Sequence, residues 1–376
     1  MVRAMPSPLA PIALFTDTYH EINGVSNTFR RIVAEFTRRG IPLHVYSYGS
    51  HPHPDPNDVV QVREFPHGLS LPYYEHLRWE LWPNRKVAKS FWEQHRKTPY
   101  RGVHIASPSS MGWMGRLLAR RAGVPLIGSY HTHIAHYIIY RSPIARRLLV
   151  HYTWKYLGWF YRPCKLLLVP THQVARDLAA HDIKIPTDIF TRGIDSEAFS
   201  PAHRTETSDP PTVLYVGRLS KEKSVEQLPE LLDGVKAKVI IVGDGPEREW
   251  LESALPTATF TGYCRGEELA RRYANADVLL FPSRSDTFGN VVLEAMSSGV
   301  VPIVADATGP RDFVNDGVNA FVGKDVSEMK RALQTLLCDP ELRTAMSAQA
   351  RAYAETCDWE VAVNQLISAY DRVCPG

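Results

Sequence analysis

The sequence predicts an α/β protein built of two doubly wound parallel-sheet domains that face a central cleft, and three observations predict it. Short apolar runs alternate with amphipathic segments through most of the chain, the order that builds a parallel sheet covered by helices. The pattern halts at a polar, proline-rich stretch, PAHRTETSDPP at 201–211, and then restarts. The length of 376 residues suits two domains at roughly 150 residues each.

In chain order, PIALF (11–15) reads as a strand, TDTYHEINGVSN as a loop, and TFRRIVAEFTRRG, closing at Gly40, as an amphipathic helix. Further strands are expected at LHVYSYG (43–49), VHIAS (103–107), VPLIGSYH (124–131) and LLLVP (166–170). Beyond the break, VLYVG, KVIIVG, ATFTG, ADVLLFP and VPIVA repeat the design as a second parallel sheet. From Met329 to Cys374 the chain reads as helical, broken at Asp339-Pro340 and again at Cys357-Asp358. No tandem repeat or low-complexity tract interrupts it. Two such sheets bring the carboxyl ends of their strands to one cleft, where ligands bind at the switch points of strand order.

Composition narrows the function classes. With 44% hydrophobic and 22% charged residues the chain is globular rather than disordered. A formal net charge of +3 is too small to indicate nucleic-acid binding, so any basic function is local. The five cysteines, at 164, 264, 338, 357 and 374, are scattered without a Cys-x-x-Cys pair or a zinc-finger spacing, and a reducing compartment is expected. No apolar run reaches the ~18 residues needed to span a bilayer, and the start lacks a signal-peptide core. A cytoplasmic location is expected.

The segment SRSDTFGNVVLEAMSSG (283–299) leaves a buried strand and opens a helix near Phe288 to Asn290. Free amides of Phe288, Gly289 and Asn290, with the helix dipole, suit a phosphate or sugar hydroxyls. Asp286 and Glu294 are candidates to bond hydroxyls of a sugar and a ribose; alternatively Asp286 caps the helix and Glu294 is a structural or solvated carboxylate. GRLSKEK (217–223) places Arg218 and Lys223 in one loop after Gly217, where two cations would neutralise a diphosphate, unless the loop is simply a solvated basic surface. Gly24 sits before the first helix and permits backbone contact with phosphate. His131, in His131-Thr132-His133, ends a strand at the cleft and either contacts a donor sugar or is structural. Neither that pair nor His51 and His53 has the partners of a metal site, and no Asp-x-Asp motif occurs, so no metal is expected. Gly-x-Gly-x-x-Gly is absent from the first strand-helix loop, and no Walker motif occurs, which counts against dehydrogenases and kinases. Tyr137 to Tyr161 mixes arginines with large aromatics and reads either as a membrane-resting surface or as a helix pair with aromatic core and solvated arginines.

Together these segments resemble family 4 of the retaining glycosyltransferases, which have the two-Rossmann GT-B fold. The Asn-Gly-Val loop, SYHTH, RGIDSEAFSP, VGRLSKEK, IVGDGPER, the Gly262-Tyr263 turn and SRSDTFGNVVLEAMSSG occur in the family's order over nearly the whole chain. The resemblance implies Arg218 and Lys223 on the donor diphosphate, Gly24 approaching it, Glu294 on the ribose, Asp286 and the amides of 288–290 on the sugar, Tyr263 at the base, and His131 beside the anomeric carbon. The family commonly has Glu where this chain has Asp286; the similar sulfoquinovosyl and mannosyl lipid transferases also use Asp. That subgroup implies a UDP- or GDP-sugar donor and a hydroxyl acceptor, possibly a lipid, with no cofactor. It also implies an acceptor-side domain at 1–203, a nucleotide-sugar domain at 204–357, and a final helix, 358–376, crossing back. A nucleotide-sugar epimerase, a non-catalytic nucleotide-sugar-binding protein and a peripheral membrane scaffold are the rival readings.

Overall fold

The computed structural model describes residues 10–17, 19, 24–49, 59–67, 70–74, 77–80, 83–131, 146–207, 209–307 and 309–375. Asn23, His51, His53, Thr132, His133 and residues 137–145 of the aromatic-basic stretch lie outside them.

The first sheet has seven strands: β1 (Ile12–Phe15), β2 (Leu43–Tyr48), β3 (Val60–Phe65), β6 (Gly102–Ile105), β7 (Leu126–Ser129), β8 (Leu166–Val169) and β9 (Thr187–Ile189). They run parallel in the order β3-β2-β1-β6-β7-β8-β9. A separate antiparallel hairpin pairs β4 (Ser70–Tyr74) with β5 (Leu77–Glu80). The chain winds outward from β1 and then returns to its other side, so strand order reverses between β1 and β6, the kind of position at which doubly wound sheets bind ligands.

Six parallel strands form the second sheet: β10 (Thr212–Val216), β11 (Lys238–Val242), β12 (Thr259–Gly262), β13 (Val278–Phe281), β14 (Val301–Ala305) and β15 (Phe321–Gly323). Their order, β12-β11-β10-β13-β14-β15, puts the reversal between β10 and β13. The loops leaving those two strands are the two that carry Arg218, Lys223 and Asp286.

Each sheet is apolar on both faces because each is covered by helices on both. In β1, Ala13 and Phe15 join one core with Met111, Leu118 and Phe160, whereas Ile12 and Leu14 join another with Phe29, Ile32 and Phe36. In β10, Val213 and Tyr215 face one way and Leu214 and Val216 the other. The helical tail breaks where Asp339-Pro340 and Asp358 stand: Asp339 caps Pro340–Glu355 and Asp358 caps Trp359–Val373. Although it follows the second sheet, this last helix buries Ala362, Val363, Leu366 and Tyr370 in the first sheet's core. Its entry is tied down where the Ile194 N–H donates to the Cys357 carbonyl at 2.8 Å.

Several elements go beyond the strands read from the sequence. β3, β9, β15 and the hairpin are edge or isolated pieces: polar residues interrupt the apolar pattern of β3 and β9, and β15, FVG, is only three residues long. Gly24 is the first residue of the helix Gly24–Arg39 rather than part of the loop before it.

Candidate active site

The segment after β13 forms the floor of the site. Gly289 precedes the helix Asn290–Ser297 in a left-handed conformation, φ 85°, and no side chain caps the helix, so Asp286 is not its cap. A Cβ at Gly289 would lie 2.6 Å from Pro310 Cγ, so only glycine allows both the turn and the contact. Asp286 instead accepts from Lys223 Nζ at 2.6 Å and from Ser283 Oγ at 2.5 Å. Burial pushes its carboxyl up, but Lys223, Ser283 and Arg192 outweigh that and hold it below the ordinary aspartate value. The Lys223–Asp286 pair therefore joins the loops on either side of the second sheet's reversal.

Arg218 lies in the same basic loop, 3.8 Å from Glu222, and its carbonyl accepts from the Tyr215 hydroxyl at 3.0 Å. Gly217 donates to the Val242 carbonyl, which brings the IVGDGPER turn against the basic loop. The Glu294 carboxylate accepts from the Tyr273 hydroxyl at 2.8 Å, and burial pushes it above the usual glutamate range. Tyr263, at the turn after β12, is 65% exposed.

The first domain supplies the opposite wall. His131 ends β7's extension and is buried, its ring edge-on to Phe29 at 5.5 Å. Neither ring nitrogen has a hydrogen-bond partner among the described residues. Burial, then the Arg192 charge, then His104 hold its pKa far below the ordinary imidazole value, so the ring is neutral. Its carbonyl accepts from Thr287 Oγ1 at 2.7 Å, tying the two domains together beside Asp286. Gly24 lies across from the amino end of Asn290–Ser297: a Cβ there would stand 3.3 Å from Asn290 Nδ2. The sequence-derived set of Gly24, His131, Gly217, Arg218, Lys223, Asp286, Phe288, Gly289, Asn290 and Glu294 is thus carried on loops and helix starts around the second sheet's reversal and the first-domain wall that meets it. Arg192, Ser283, Thr287 and Tyr273 are additional members. Arg192 stands in the RGIDSEAFSP motif, and an arginine within that motif was the available signal.

Among the described residues, no three His, Cys, Asp or Glu side chains cluster so as to hold a metal ion, and no helix is long and apolar enough to cross a membrane. The helix Arg146–Tyr161 does two things at once. It buries Trp154, Leu157, Phe160 and Tyr161, and it exposes Leu148, Tyr152, Lys155 and Trp159 at the spacing of one helical face.

The Glycosyltransferase Family 4 model matches residues 22–198, and the model described as Glycosyl transferases group 1 matches 197–353. A sulfoquinovosyl transferase of Arabidopsis thaliana is 31% identical over 96% of this chain and 71% of its own length. The chain belongs to glycosyltransferase family 4. A GDP-mannose-dependent alpha-mannosyltransferase of Mycobacterium tuberculosis is also 31% identical to this transferase, over 94% of each chain. In structure the transferase resembles the sucrose-phosphate synthase of Thermosynechococcus elongatus, with TM-score 0.78 and 21% identity over 97% of this chain and 99% of that one. WaaG, a glycosyltransferase involved in lipopolysaccharide biosynthesis, superposes with TM-score 0.70 and 19% identity over 97% of this chain and 100% of that one. The two parallel-sheet domains are those of the GT-B fold.

Proposed function

We propose that this nucleotide-sugar glycosyltransferase is a retaining hexosyltransferase that moves a sugar from a UDP- or GDP-sugar to a hydroxyl of a glycerolipid or similar amphiphile. The observation that carries the reading is the junction at Asp286: a carboxylate held ionised by Lys223, beside the amino end of a helix that no side chain caps, opposite a neutral imidazole whose two nitrogens have no partner among the described residues. In it Arg218 and Lys223 meet the donor diphosphate, which Gly217 and Gly24 approach with their backbones. Asp286 and the amides of Phe288, Gly289 and Asn290 hold sugar hydroxyls, Glu294 the ribose, and Tyr263 flanks the base. His131 lies beside the anomeric carbon.

The departing diphosphate gathers negative charge, and preformed cations and helix-end amides stabilise that charge without reorganising. Because the protein's own cations answer this charge, no metal enters the scheme. Asp286 is engaged by Lys223 and Glu294 by Tyr273, so neither carboxylate is presented as a free nucleophile. The acceptor hydroxyl then attacks the face from which the diphosphate leaves: the new glycosidic C–O bond forms, the anomeric C–O bond to phosphate breaks, and the leaving phosphate oxygen takes the hydroxyl proton. Closure of the two domains limits hydrolysis.

In this scheme residues 1–203 serve the acceptor, 204–357 bind the donor, and 358–376 strap the second domain to the first. The exposed Leu148, Tyr152, Lys155 and Trp159 face suits contact with an anionic membrane at the cytoplasmic side, where an amphiphilic acceptor would be drawn. The printed functions of relatives fit: one is a sulfoquinovosyl transferase and another, from Streptococcus pneumoniae, an alpha-monoglucosyldiacylglycerol synthase, 26% identical over 78% of this chain. The test is incubation with a panel of UDP- and GDP-sugars, with and without a total lipid extract, followed by mass spectrometry. Acceptor-dependent nucleotide release with a glycosylated lipid supports the reading. A converted sugar nucleotide without acceptor points to an epimerase, and binding without turnover in any arm to a non-catalytic protein; either contradicts it.

A further inference from the structure

Arg192 follows β9 on the crossing toward the second domain, and the residue is only 7% exposed. One terminal guanidinium nitrogen donates to Asn290 Oδ1 at 3.2 Å, and the group lies 5.9 Å from the Phe288 ring centre. A Cβ on Gly24 would lie 2.7 Å from that same nitrogen, so the guanidinium is pressed against the first helix's opening turn. Its Nε is buried and has no partner among the described residues. No ion pair joins it to a carboxylate among the described residues: Asp286, whose charge acts on it, is bonded to Lys223 at 2.6 Å.

A guanidinium is costly to bury without an anion, and its planar fork of N–H donors matches a phosphate. Burial brings its pKa down to about 10, which leaves it a cation at neutral pH. The surroundings add the dipole at the start of Asn290–Ser297, which no side chain caps, and Gly24, whose missing side chain is what leaves room for the guanidinium there.

We infer that Arg192 is a third donor-site cation, contributed by the first domain, which receives the sugar-side phosphate of a nucleoside diphosphate between Gly24 and the amino end of the helix Asn290–Ser297. The inference rests on the donor-site reading above, in which Asp286 and the 288–290 amides hold the sugar; the phosphate next to them is the one that carries it. Arg218 and Lys223 come from the second domain, so the cation array is complete only while Asn290 keeps Arg192 across the cleft. A nucleoside monophosphate lacks the group Arg192 binds and gains little from it.

The experiment is calorimetric titration of UDP, UMP, GDP and GMP into the full chain and into its Arg192→Ala, Arg192→Lys and Arg218→Ala variants, with a thermal melt of each without nucleotide. Losing a charge-assisted contact corresponds to about a 10-fold loss of diphosphate affinity. The expected result is that Arg192→Ala shrinks the diphosphate-to-monophosphate preference by about that factor while monophosphate affinity holds, with no fall in melting temperature. Arg192→Lys, which keeps the charge and loses the fork, shrinks it less and serves should the alanine variant fail to fold. An unchanged preference in both Arg192 variants, with Arg218→Ala still weakening diphosphate binding, overturns the role of Arg192 alone. Failure of the unaltered protein to favour either diphosphate overturns the donor site and this inference with it.

Discussion

Breaking the Lys223–Asp286 pair tests how the proposed donor site is held together before any substrate arrives. The charged atoms are 2.6 Å apart and each side chain is about one-fifth exposed, 19% and 20%. At an effective dielectric of ~20 their gross attraction is about 6 kcal/mol at that 2.6 Å separation. Partial desolvation of both ions offsets much of it, leaving a coupling of about 2–3 kcal/mol. Lys223→Met takes the nearest cation from the Asp286 carboxylate, and Asp286→Asn takes the nearest anion from the Lys223 ammonium, so each single change costs about 3 kcal/mol. For a domain of roughly 150 residues that is a drop of ~6–12 °C in its transition. The double variant removes both charges and should cost about 3–4 kcal/mol, short of the roughly 6 kcal/mol that independent losses would give. Scanning calorimetry of the four proteins measures the coupling, and losses that simply add in the double variant would refute the pairing. The pH dependence has a defined sign. Asp286 is held below its ordinary value, so the stabilisation is full above the ordinary aspartate range and is lost as pH falls through the lowered one. The gap between the unaltered protein and Asp286→Asn should narrow in acid; a gap that widens there contradicts the account.

Three further outcomes are expected. Gly289→Ala forces a left-handed Cβ against Pro310, so it should cost about 2 kcal/mol and weaken nucleotide binding, checked by a melt and a titration; a neutral substitution would mean the turn relaxes freely. His104, pushed by burial down to about 3, and His131, pushed down by burial and then by Arg192, are neutral in the folded chain and charge on unfolding. Below the ordinary imidazole pKa near 6.5 each should therefore subtract about 1.4 kcal/mol per pH unit, and denaturation between pH 7 and 5 measures whether His104→Gln flattens that slope. Tyr370→Phe leaves the buried His104 Nδ1 without its 2.7 Å partner and should cost about 1–3 kcal/mol in urea unfolding, loosening the last helix from the first sheet; no change would show that the bond contributes nothing net.

The fold was readable where buried strands are uninterrupted apolar runs: VLLF and VPIVA, covered on both faces, leave no polar residue to confuse the pattern. VQVREF and TDI are edge strands with solvent-facing residues, and their pairing depends on neighbours distant in sequence. The site was readable as a set of motifs but not as a set of contacts. Asp286 had two possible tasks in the sequence, and only its bond to Lys223, 63 positions earlier, removes helix capping. Glu294 likewise acquires a partner, Tyr273, from another helix. Arg192 gave no local hint of burial, because its place depends on Asn290, 98 positions later in the other domain. Spacing tells which side chains leave one strand together; it does not tell which side chain arrives from the facing sheet.

The central claim is same-face transfer in a cleft whose cations, not a protein nucleophile, drive departure. Its most direct test is the anomeric configuration of the first-formed product, read by proton NMR from a donor of known configuration with acceptor present. The expected result is that the glycoside keeps the donor's configuration, with nucleoside diphosphate released in step and both signals lost in Arg218→Ala. An inverted product, or a glycoside formed at an undiminished rate by Arg218→Ala, would contradict it.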